Sequence, residues 1–400
     1  MDRLFGFGLS NFDGINGVLF NMKRILISST DVMMYLFLIP HVKHLTNDNY
    51  HIDVACSSAD EYKSEGYEKI IRDQLPENSR YFHISSARSP YSRGNLKGFR
   101  QLRSIIEDND YDLVWTNEPV MGVITRLAAS KFRKNGLKVL YLAHGYHFFK
   151  GAPVLNWIYY PAEKLCSYLT DLMVMINLED FDFTKRHFSG NQVRHIDGIG
   201  FDVAKYDDVC VDVVEKRKEL GVGSDQILVL SAGELMTRKN HEAMIEAIAL
   251  ANDPRIKYVI CGIGDRLEFL QNLANKLGIS NSVSFIGLRY DIPELLKAAD
   301  IFAHPSKREG LGIAPLEAMA SGLPIVTSNI QGIKDYSVNG LTGFALNPSD
   351  TNGYSSAICA LADDAGLRKQ MGEYNTLAVR KWSIENSTSQ VGRIIKDFIG

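Results

Sequence analysis

The sequence predicts an α/β protein with two Rossmann-like units, each built around a doubly wound parallel sheet. Short apolar runs rich in β-branched residues alternate with longer helical patterns along most of the chain, and this alternation is typical of parallel βαβ units. The length of 400 residues allows two domains of ordinary size. Gly198 and Gly200 lie between the two series of strands and suit a hinge.

The composition is that of an ordinary globular chain, with 45% hydrophobic and 23% charged residues. The net charge of -3 argues against a general nucleic-acid binder. The five cysteines lack metal-ligand spacing, so we expect free thiols in a reducing compartment. No apolar run approaches the ~20 residues that a membrane span needs. Residues 1–21 lack the apolar core of a signal peptide, and we expect an N-terminal extension before a fold that begins at Met22.

The first unit is predicted to contain at least six strands. They occupy residues 24–28, 51–56, 111–115, 139–143, 171–176 and 193–196. A mostly apolar helix follows the first strand through Leu45. Asn177, Glu179 and Asp180 begin another helix, which runs to about Phe188.

The second unit is predicted to begin with a strand at 227–232, followed by a helix from Glu242. Further strands are expected at 257–261, 283–286, 301–303 and 323–327, with a short helix at 291–299 and a turn and strand at 339–344. Pro315 suits the first turn of a helix that includes 316–321, and Gly322 suits the position just past its end. The last helices are expected at 352–361, 365–381 and 387–398.

The loop before Pro315 carries the most informative pattern in the chain. Gly310 and Gly312 let the backbone approach a ligand closely, and the helix start that follows favours a phosphate. Glu309 and Glu317 flank this anion site, and carboxylates accept hydrogen bonds from hydroxyls. The combination predicts a ligand with both a phosphate and sugar hydroxyls. The alternative is that Glu309 is a solvated loop charge and Glu317 stabilises the helix start.

The spacing Glu309-x7-Glu317, with glycines between and a Pro-Leu-Glu-Ala helix after, resembles the donor-site signature of the retaining family 4 glycosyltransferases. The resemblance implies the GT-B fold, in which two Rossmann-like domains face each other across a cleft. It implies an acceptor domain at 22–200 and a nucleotide-sugar donor domain at 201–375. Residues 376–400 would then cross back to the first domain, and Trp382 would suit that contact.

The resemblance also assigns the donor contacts. Glu317 would bind the ribose hydroxyls and Glu309 the transferred sugar. The remaining donor-binding residues would be Gly233, Arg238, Lys239, Leu288, Gly310, Leu311, Gly312 and Ile313. The family commonly has an arginine after the first glycine, whereas this chain has Glu234, which shifts phosphate binding to Lys239 with Arg238 beside it. The alternative for this pair is an ordinary basic surface.

His144 is the second candidate catalytic residue, with Glu309. It follows a strand and precedes Gly145, at the edge where open α/β sheets bind ligands. The family places a histidine here, close to the transferred sugar. The alternative is a loop histidine held by hydrogen bonds. His147 has no such support.

The acceptor side of the first domain has two distinctive features. The first strand–helix loop reads Ser-Ser-Thr-Asp at 28–31, where many family members carry a glycine pair. The run from 80 to 103 contains six basic and no acidic residues. Within it, we expect Arg88, Arg93, Lys97 and Arg100 to bind anionic lipid heads or a lipid diphosphate. The alternative is a solvated surface.

An aromatic-rich segment at 148–169 either packs in the core, which suits most of its aromatic residues, or forms an amphipathic face that rests on a membrane. Together with the basic run, the second interpretation predicts a protein on the cytoplasmic side that docks on an anionic membrane surface.

The resulting hypothesis is a glycosyltransferase that moves a sugar from a UDP-linked nucleotide sugar to a hydroxyl acceptor with retention. The acceptor would be a saccharide on a polyprenyl diphosphate, in surface polysaccharide synthesis. We expect no essential metal and no other cofactor. Two alternatives remain: a sugar-nucleotide epimerase of the same fold, and a non-catalytic nucleotide-sugar-binding subunit.

Overall fold

A computed structural model describes residues 22–30, 32–57, 64–188 and 192–400. The predicted extension at 1–21 and Asp31 of the first loop lie outside these residues. Two parallel sheets follow one another along the chain, and the α/β prediction with two Rossmann-like units is confirmed.

Within the described residues, seven parallel strands form the first sheet, in the order β3-β2-β1-β4-β5-β6-β7. They are β1 (Arg24–Ser29), β2 (His51–Cys56), β3 (Tyr81–His83), β4 (Leu113–Asn117), β5 (Lys138–Ala143), β6 (Leu172–Met175) and β7 (Gln192–His195). The strand order reverses direction between β1 and β4, and ligands bind open α/β sheets at such a switch point.

Two helix layers cover this sheet. Its helices are α1 (Val32–Asn47), α2 (Ser64–Gln74), α3 (Gly94–Glu107), α4 (Pro119–Ala129), α5 (Tyr159–Ser167) and α6 (Leu178–His187). Side chains alternate along β1, so Ile25 and Ile27 join the core under α1, whereas Leu26 joins the core under α3 and α4. The two layers therefore lie on opposite faces of the sheet, with α3, α4 and α5 packed side by side on one of them.

The second sheet has six parallel strands in the described residues, in the order β10-β9-β8-β11-β12-β13. They are β8 (Ile227–Ala232), β9 (Ile256–Cys261), β10 (Val283–Phe285), β11 (Ile301–His304), β12 (Ile325–Ser328) and β13 (Gly343–Leu346). The helices are α7 (Val213–Glu219), α8 (His241–Ala251), α9 (Leu267–Lys276), α10 (Ile292–Ala298), α11 (Ile313–Ala320), α12 (Thr351–Asp363) and α13 (Ala365–Ala378). Gly322 has φ of 82° just past the end of α11, as its sequence position predicts.

The last helix, α14 (Ile384–Ile399), packs on α1 of the first sheet. The Oγ of Ser387 contacts Nε2 of His41 at 3.1 Å and donates to the carbonyl of Gly198 at 2.9 Å. Trp382, just before α14, is buried and packs edge-on against Tyr336 of the second domain. The chain end thus ties the two sheets together beside the 198–200 passage.

One part of the basic run belongs to the fold. Arg80 forms a salt bridge with Asp53 on β2, with 2.5 Å between Nη2 and Oδ2, and Asp53 is fully buried. The hydroxyl of Tyr111 donates to the same carboxylate at 2.6 Å. Arg80, at the start of the 80–103 run, therefore has a structural role, because a buried carboxylate needs a charged partner.

Candidate active site

The start of α11 lies in the loop that the sequence singles out. Gly312 precedes the helix with φ of 82°, and Ile313 is the first helical residue. The hydroxyl of Tyr336 donates to the carbonyls of Leu311 and Gly312 at 3.0 and 3.1 Å. These bonds engage the carbonyl oxygens of the loop. The backbone N–H groups at a helix start have no partner within the helix, so they are the groups of this loop that can bind an anion.

Glu309 is held by a dense set of donors. Its Oε1 lies 2.5 Å from Nζ of Lys239, 3.2 Å from Nε2 of His304 and 3.1 Å from Oγ of Ser306. Burial alone would raise the pKa of Glu309, but the hydrogen bond from His304 and the charge of Lys239 outweigh it and hold that pKa well below its usual range. Glu309 is therefore an oriented, ionised carboxylate, and the alternative of a solvated loop charge is excluded.

Lys239 and Arg238 occupy a short 3₁₀ turn before α8. The side chain of Lys239 crosses Gly233, because a Cβ at that glycine would lie 3.5 Å from Cε of the lysine. Arg238 reaches Glu234 at 3.1 Å and Glu309 at 3.4 Å. The glutamate in place of the family's arginine thus pairs with Arg238, and Lys239 is the cation best placed next to Glu309.

Glu317 lies on the first turns of α11, and its Oε1 accepts a 2.6 Å hydrogen bond from the hydroxyl of Tyr206. Burial raises the pKa of Glu317, although the bond from Tyr206 opposes this. Leu288 follows β10 and Gly287, and its side chain is half exposed. Both residues lie at the carboxyl edge of the second sheet, where a ligand of this fold binds.

The two domains meet at Gly310. A Cβ on this residue would lie 1.9 Å from the carbonyl oxygen of His144, and a Cβ on Gly145 would lie 2.5 Å from Cα of Gly310. Asn177 of the first domain donates to the carbonyl of Gly310 at 2.9 Å. Gln331 of the second domain donates to the carbonyl of Tyr146 at 3.2 Å. His144 and Glu309 therefore lie on facing sides of one cleft.

His144 is oriented by Asn117, which ends β4 on the neighbouring strand. The Asn117 amide nitrogen donates to the carbonyl of Ser28, so its Oδ1 faces the imidazole at 3.2 Å and accepts from Nε2–H. This tautomer leaves Nδ1 as the unprotonated nitrogen. Burial lowers the pKa of His144 to about 4, so the ring is neutral at physiological pH. Asn117 is not among the residues predicted from the sequence.

Glu118 is a second residue of the site that was not predicted from the sequence. Its backbone has φ of 65° and ψ of 151°, a region that is costly for any residue except glycine and that clusters at functional sites. Its carboxylate accepts from Oγ of Ser29 at 2.8 Å and from the backbone N–H of Thr30 at 2.6 Å. Ser29 and Thr30, in the loop that lacks the family's glycine pair, are thus held by a carboxylate at the carboxyl edge of the first sheet.

Arg88, Arg93, Lys97 and Arg100 are exposed, on α3 or just before it.

The aromatic-rich segment at 148–169 is partly buried and partly exposed. Phe148 is buried and stacks on Tyr146, whereas Val154 is 89% exposed and Leu155 is 78% exposed in the 3₁₀ turn Val154–Ile158. The most exposed apolar side chains of the segment are therefore aliphatic rather than aromatic.

Across the residues that the structure describes, no helix is long and apolar enough to cross a bilayer. The same part of the chain contains no group of three or more His, Cys, Asp or Glu side chains that could hold a metal ion. The expectation that no metal is essential stays a prediction.

Comparison with known proteins agrees with this geometry. A family model described as "Glycosyl transferase 4-like" matches residues 24–177, and one described as "Glycosyl transferases group 1" matches residues 212–377. EpsD of Bacillus subtilis, a protein named as a glycosyltransferase, is 32% identical over 383 residues, which cover 94% of this chain and 97% of that protein.

Two further proteins show the range of the similarity. An Escherichia coli UDP-Gal:alpha-D-GlcNAc-diphosphoundecaprenol alpha-1,3-galactosyltransferase is 24% identical over 364 residues, covering 89% of this chain and 91% of its own. The crystal structure of Anabaena HepE in complex with UDP and glucose superposes with a TM-score of 0.77 at 20% identity, covering 94% of this chain and 100% of that chain. The second similarity is one of fold.

Proposed function

Because this chain belongs to the GT-B glycosyltransferases, we propose that it transfers a sugar from a UDP-linked donor to a hydroxyl acceptor, with retention at the anomeric carbon. The observation that carries the proposal is the pairing of Glu309 with Lys239 beside the start of α11, directly across the cleft from His144. The arrangement combines a carboxylate for sugar hydroxyls with a cation and free backbone N–H groups for a phosphate.

The donor would lie against the second domain. Lys239 and the backbone from Gly310 to Ile313 would bind the diphosphate, and Glu317 would accept from the ribose hydroxyls while Tyr206 fixes its orientation. Breaking the sugar–phosphate bond places negative charge on the leaving UDP. Preorganised donors stabilise such charge without reorganisation, and this is commonly the largest contribution to catalysis.

Glu309 and His144 would line the reacting centre. Lys239 is paired with Glu309, so an incoming diphosphate would take over part of this cation and release the carboxylate toward the sugar. The neutral imidazole of His144 has Nε2–H bonded to Asn117, which leaves Nδ1 as an acceptor. It would position a hydroxyl rather than carry a charge.

The first experiment measures donor binding. A panel of nucleotide sugars is screened by thermal shift, and hits are followed by calorimetry with UDP. A ligand at about 100 times its Kd stabilises by roughly 2.7 kcal/mol, which thermal shift resolves. We expect UDP and at least one UDP-sugar to stabilise the protein. Stabilisation by purine nucleotides but not by UDP would contradict the UDP assignment.

The acceptor would be a saccharide carried by a lipid diphosphate at an anionic membrane. The relative from Escherichia coli is named for such an acceptor. In this chain α3, α4 and α5 form one layer, which carries the exposed basic residues Arg93, Lys97 and Arg100 and ends near the exposed Val154 and Leu155. A layer with basic side chains at one end and exposed apolar side chains at the other suits an anionic bilayer.

Vesicle co-sedimentation tests this surface. Each basic residue near an anionic leaflet contributes about 1 kcal/mol, so reversing Arg93, Lys97 and Arg100 should abolish binding to anionic vesicles. Binding should also weaken with salt, because exposed charges are screened within ~10 Å at 0.1 M. Reversal of three exposed lysines of the second domain is the matched control: Lys218, Lys276 and Lys369. Equal partitioning to neutral vesicles would favour a soluble acceptor.

A further inference from the structure

A cavity of about 590 Å³ lies between the two domains, beside the candidate active site. Pro153 and Asn156 line it from the first domain, and Arg238, Lys307, Arg308 and Ser349 line it from the second. Arg238 connects the cavity to the reacting centre, because its Nη1 lies 3.4 Å from Oε1 of Glu309. The cavity is therefore adjacent to the place proposed for the transferred sugar.

The charges of this cavity are all of one sign. Three basic side chains line it, and no aspartate or glutamate is among its lining residues. Arg238 is paired with Glu234 and Glu309, and Lys307 is paired with Glu242 at 3.0 Å. None of these carboxylates lines the cavity itself. The basic side chains therefore face a space whose walls carry no negative charge.

Arg308 distinguishes the cavity from an ordinary basic surface. It is only partly exposed, and within the described residues it makes no hydrogen bond and no salt bridge, although a carboxylate follows it in the chain. Burial and the neighbouring charge of Arg238 lower the pKa of Arg308. Holding an unpaired guanidinium next to a second one is unfavourable unless an anion binds between them. Arginine is also the side chain best suited to bind phosphate through two parallel hydrogen bonds.

The rim of the cavity leads to the exposed apolar turn Val154–Ile158. Pro153 and Asn156 line the cavity, whereas Val154 and Leu155, between them in the chain, are the most exposed apolar side chains of the 3₁₀ turn. A ligand with an anionic head in the cavity could therefore extend an apolar chain across this turn toward a bilayer.

We propose that this cavity binds the diphosphate of the lipid-linked acceptor, with Arg308 as its principal ligand. The lipid leaves over the turn Val154–Ile158, and the saccharide extends toward Glu309. This inference rests on the function proposed above and names the part of the chain that recognises the acceptor. It uses a set of groups separate from Lys239 and the start of α11, which bind the donor diphosphate.

The test uses farnesyl diphosphate as a soluble polyprenyl diphosphate, titrated into full-length protein saturated with UDP. The wild type should bind it, and should bind it more tightly than inorganic pyrophosphate or farnesol. Arg308→Gln should weaken binding by at least about tenfold, since hydrogen bonds to charged groups contribute that much or more. Ser349→Glu, which places a carboxylate on the cavity wall, should weaken it as well.

Two controls make the result decisive. Arg393→Gln removes an exposed arginine of α14 and should change nothing. Lys239→Ala should weaken UDP but leave the Arg308-dependent binding of farnesyl diphosphate intact. The proposal is overturned if Arg308→Gln and Ser349→Glu bind normally, if inorganic pyrophosphate binds equally well, or if UDP and farnesyl diphosphate exclude each other. Failure of the wild type to bind UDP would instead overturn the proposed function itself.

Discussion

Replacing Gly310 with alanine tests whether the two domains must meet for transfer to occur. Gly310 has no space for a side chain, because a Cβ would lie 1.9 Å from the carbonyl oxygen of His144 and 3.3 Å from Cα of Gly145. Both of these atoms belong to backbone of the other domain and cannot turn away as a flexible side chain can. The added methyl group must therefore push the domains apart at the candidate active site.

The size of the displacement follows from the contact. Ordinary van der Waals contact begins at 3.4 Å, so the gap of 1.9 Å must open by about 1.5 Å. Reacting atoms need to approach within about 3–3.5 Å, and a misplacement of 1 Å can cost about 10²-fold in rate. We therefore expect Gly310→Ala to lower kcat by about 10²-fold. UDP affinity should fall far less than kcat, because Lys239 and Glu317, which also bind UDP in this account, belong to one domain.

Transfer of labelled sugar and calorimetry with UDP measure these two quantities separately. Gly145→Ala approaches the same contact from the first domain and should give the same pattern, since its Cβ would lie 2.5 Å from Cα of Gly310. Gly223→Ala is the control, because its Cβ would meet only the side chain of Gln226, at 3.6 Å. Wild-type turnover of Gly310→Ala with normal UDP affinity would refute the argument that this contact positions the reacting groups.

Four further changes test individual side chains. Lys239→Ala should weaken UDP and the nucleotide sugar together, and unchanged affinity in calorimetry would remove Lys239 from the site. Tyr206→Phe should weaken UDP by about tenfold or less, since it frees the Glu317 carboxylate, and the double variant with Glu317→Gln should add little to the loss. His144→Ala should fold normally and lose turnover, whereas the wild type should show no inflection above pH 5 from this group, because its pKa of about 4 keeps it neutral there. Glu118→Gln should raise the KM for the acceptor more than for the donor, and an equal effect on both would exclude an acceptor-side role.

The elements of the fold could be predicted because each rests on a local pattern. Strands such as 51–56 and 227–232 are short, mostly apolar runs in parallel sheets, and the sheets contain them at these positions. The predicted ends of a strand were less accurate where pairing with neighbouring strands sets them. The strand predicted at 111–115 occupies Leu113–Asn117, because it pairs in register with β1 and β5. The three-residue strand β3 was too short to give a pattern.

The site could be predicted only as far as its groups share one stretch of chain. Glu309, Gly312 and Glu317 follow each other in the sequence, so their pattern indicated an anion site with hydroxyl acceptors. Tyr206 lies 111 positions from its partner Glu317, in a segment without periodicity, and nothing local connects the two. Asn117 gave a weak signal, since it is polar and ends a strand as His144 nearly does, but the hydrogen bond between them depends on strand order.

The charged residues show the same limit. The acid-free run at 80–103 looked uniform in the sequence. In the structure, Arg80 forms a salt bridge with Asp53 of β2, whereas Lys97 and Arg100 are exposed side chains of α3. Arg308 was not predicted as a binding residue. It precedes Glu309 in the sequence, and adjacent opposite charges suggest a salt bridge. Only the fold shows that Glu309 turns to Lys239 and leaves Arg308 facing the cavity.

The anomeric configuration of the product distinguishes a retaining transferase from the alternatives. The protein is incubated with a UDP-linked sugar of α configuration and a saccharide on a short polyprenyl diphosphate, and the anomeric proton is followed by NMR. We expect a new α-glycosidic bond, with UDP released in equal amount, and loss of both signals in Glu309→Ala. A β-linked product would contradict retention. An epimerised nucleotide sugar, or UDP-sugar binding without any turnover, would contradict the assignment as a transferase acting on this acceptor.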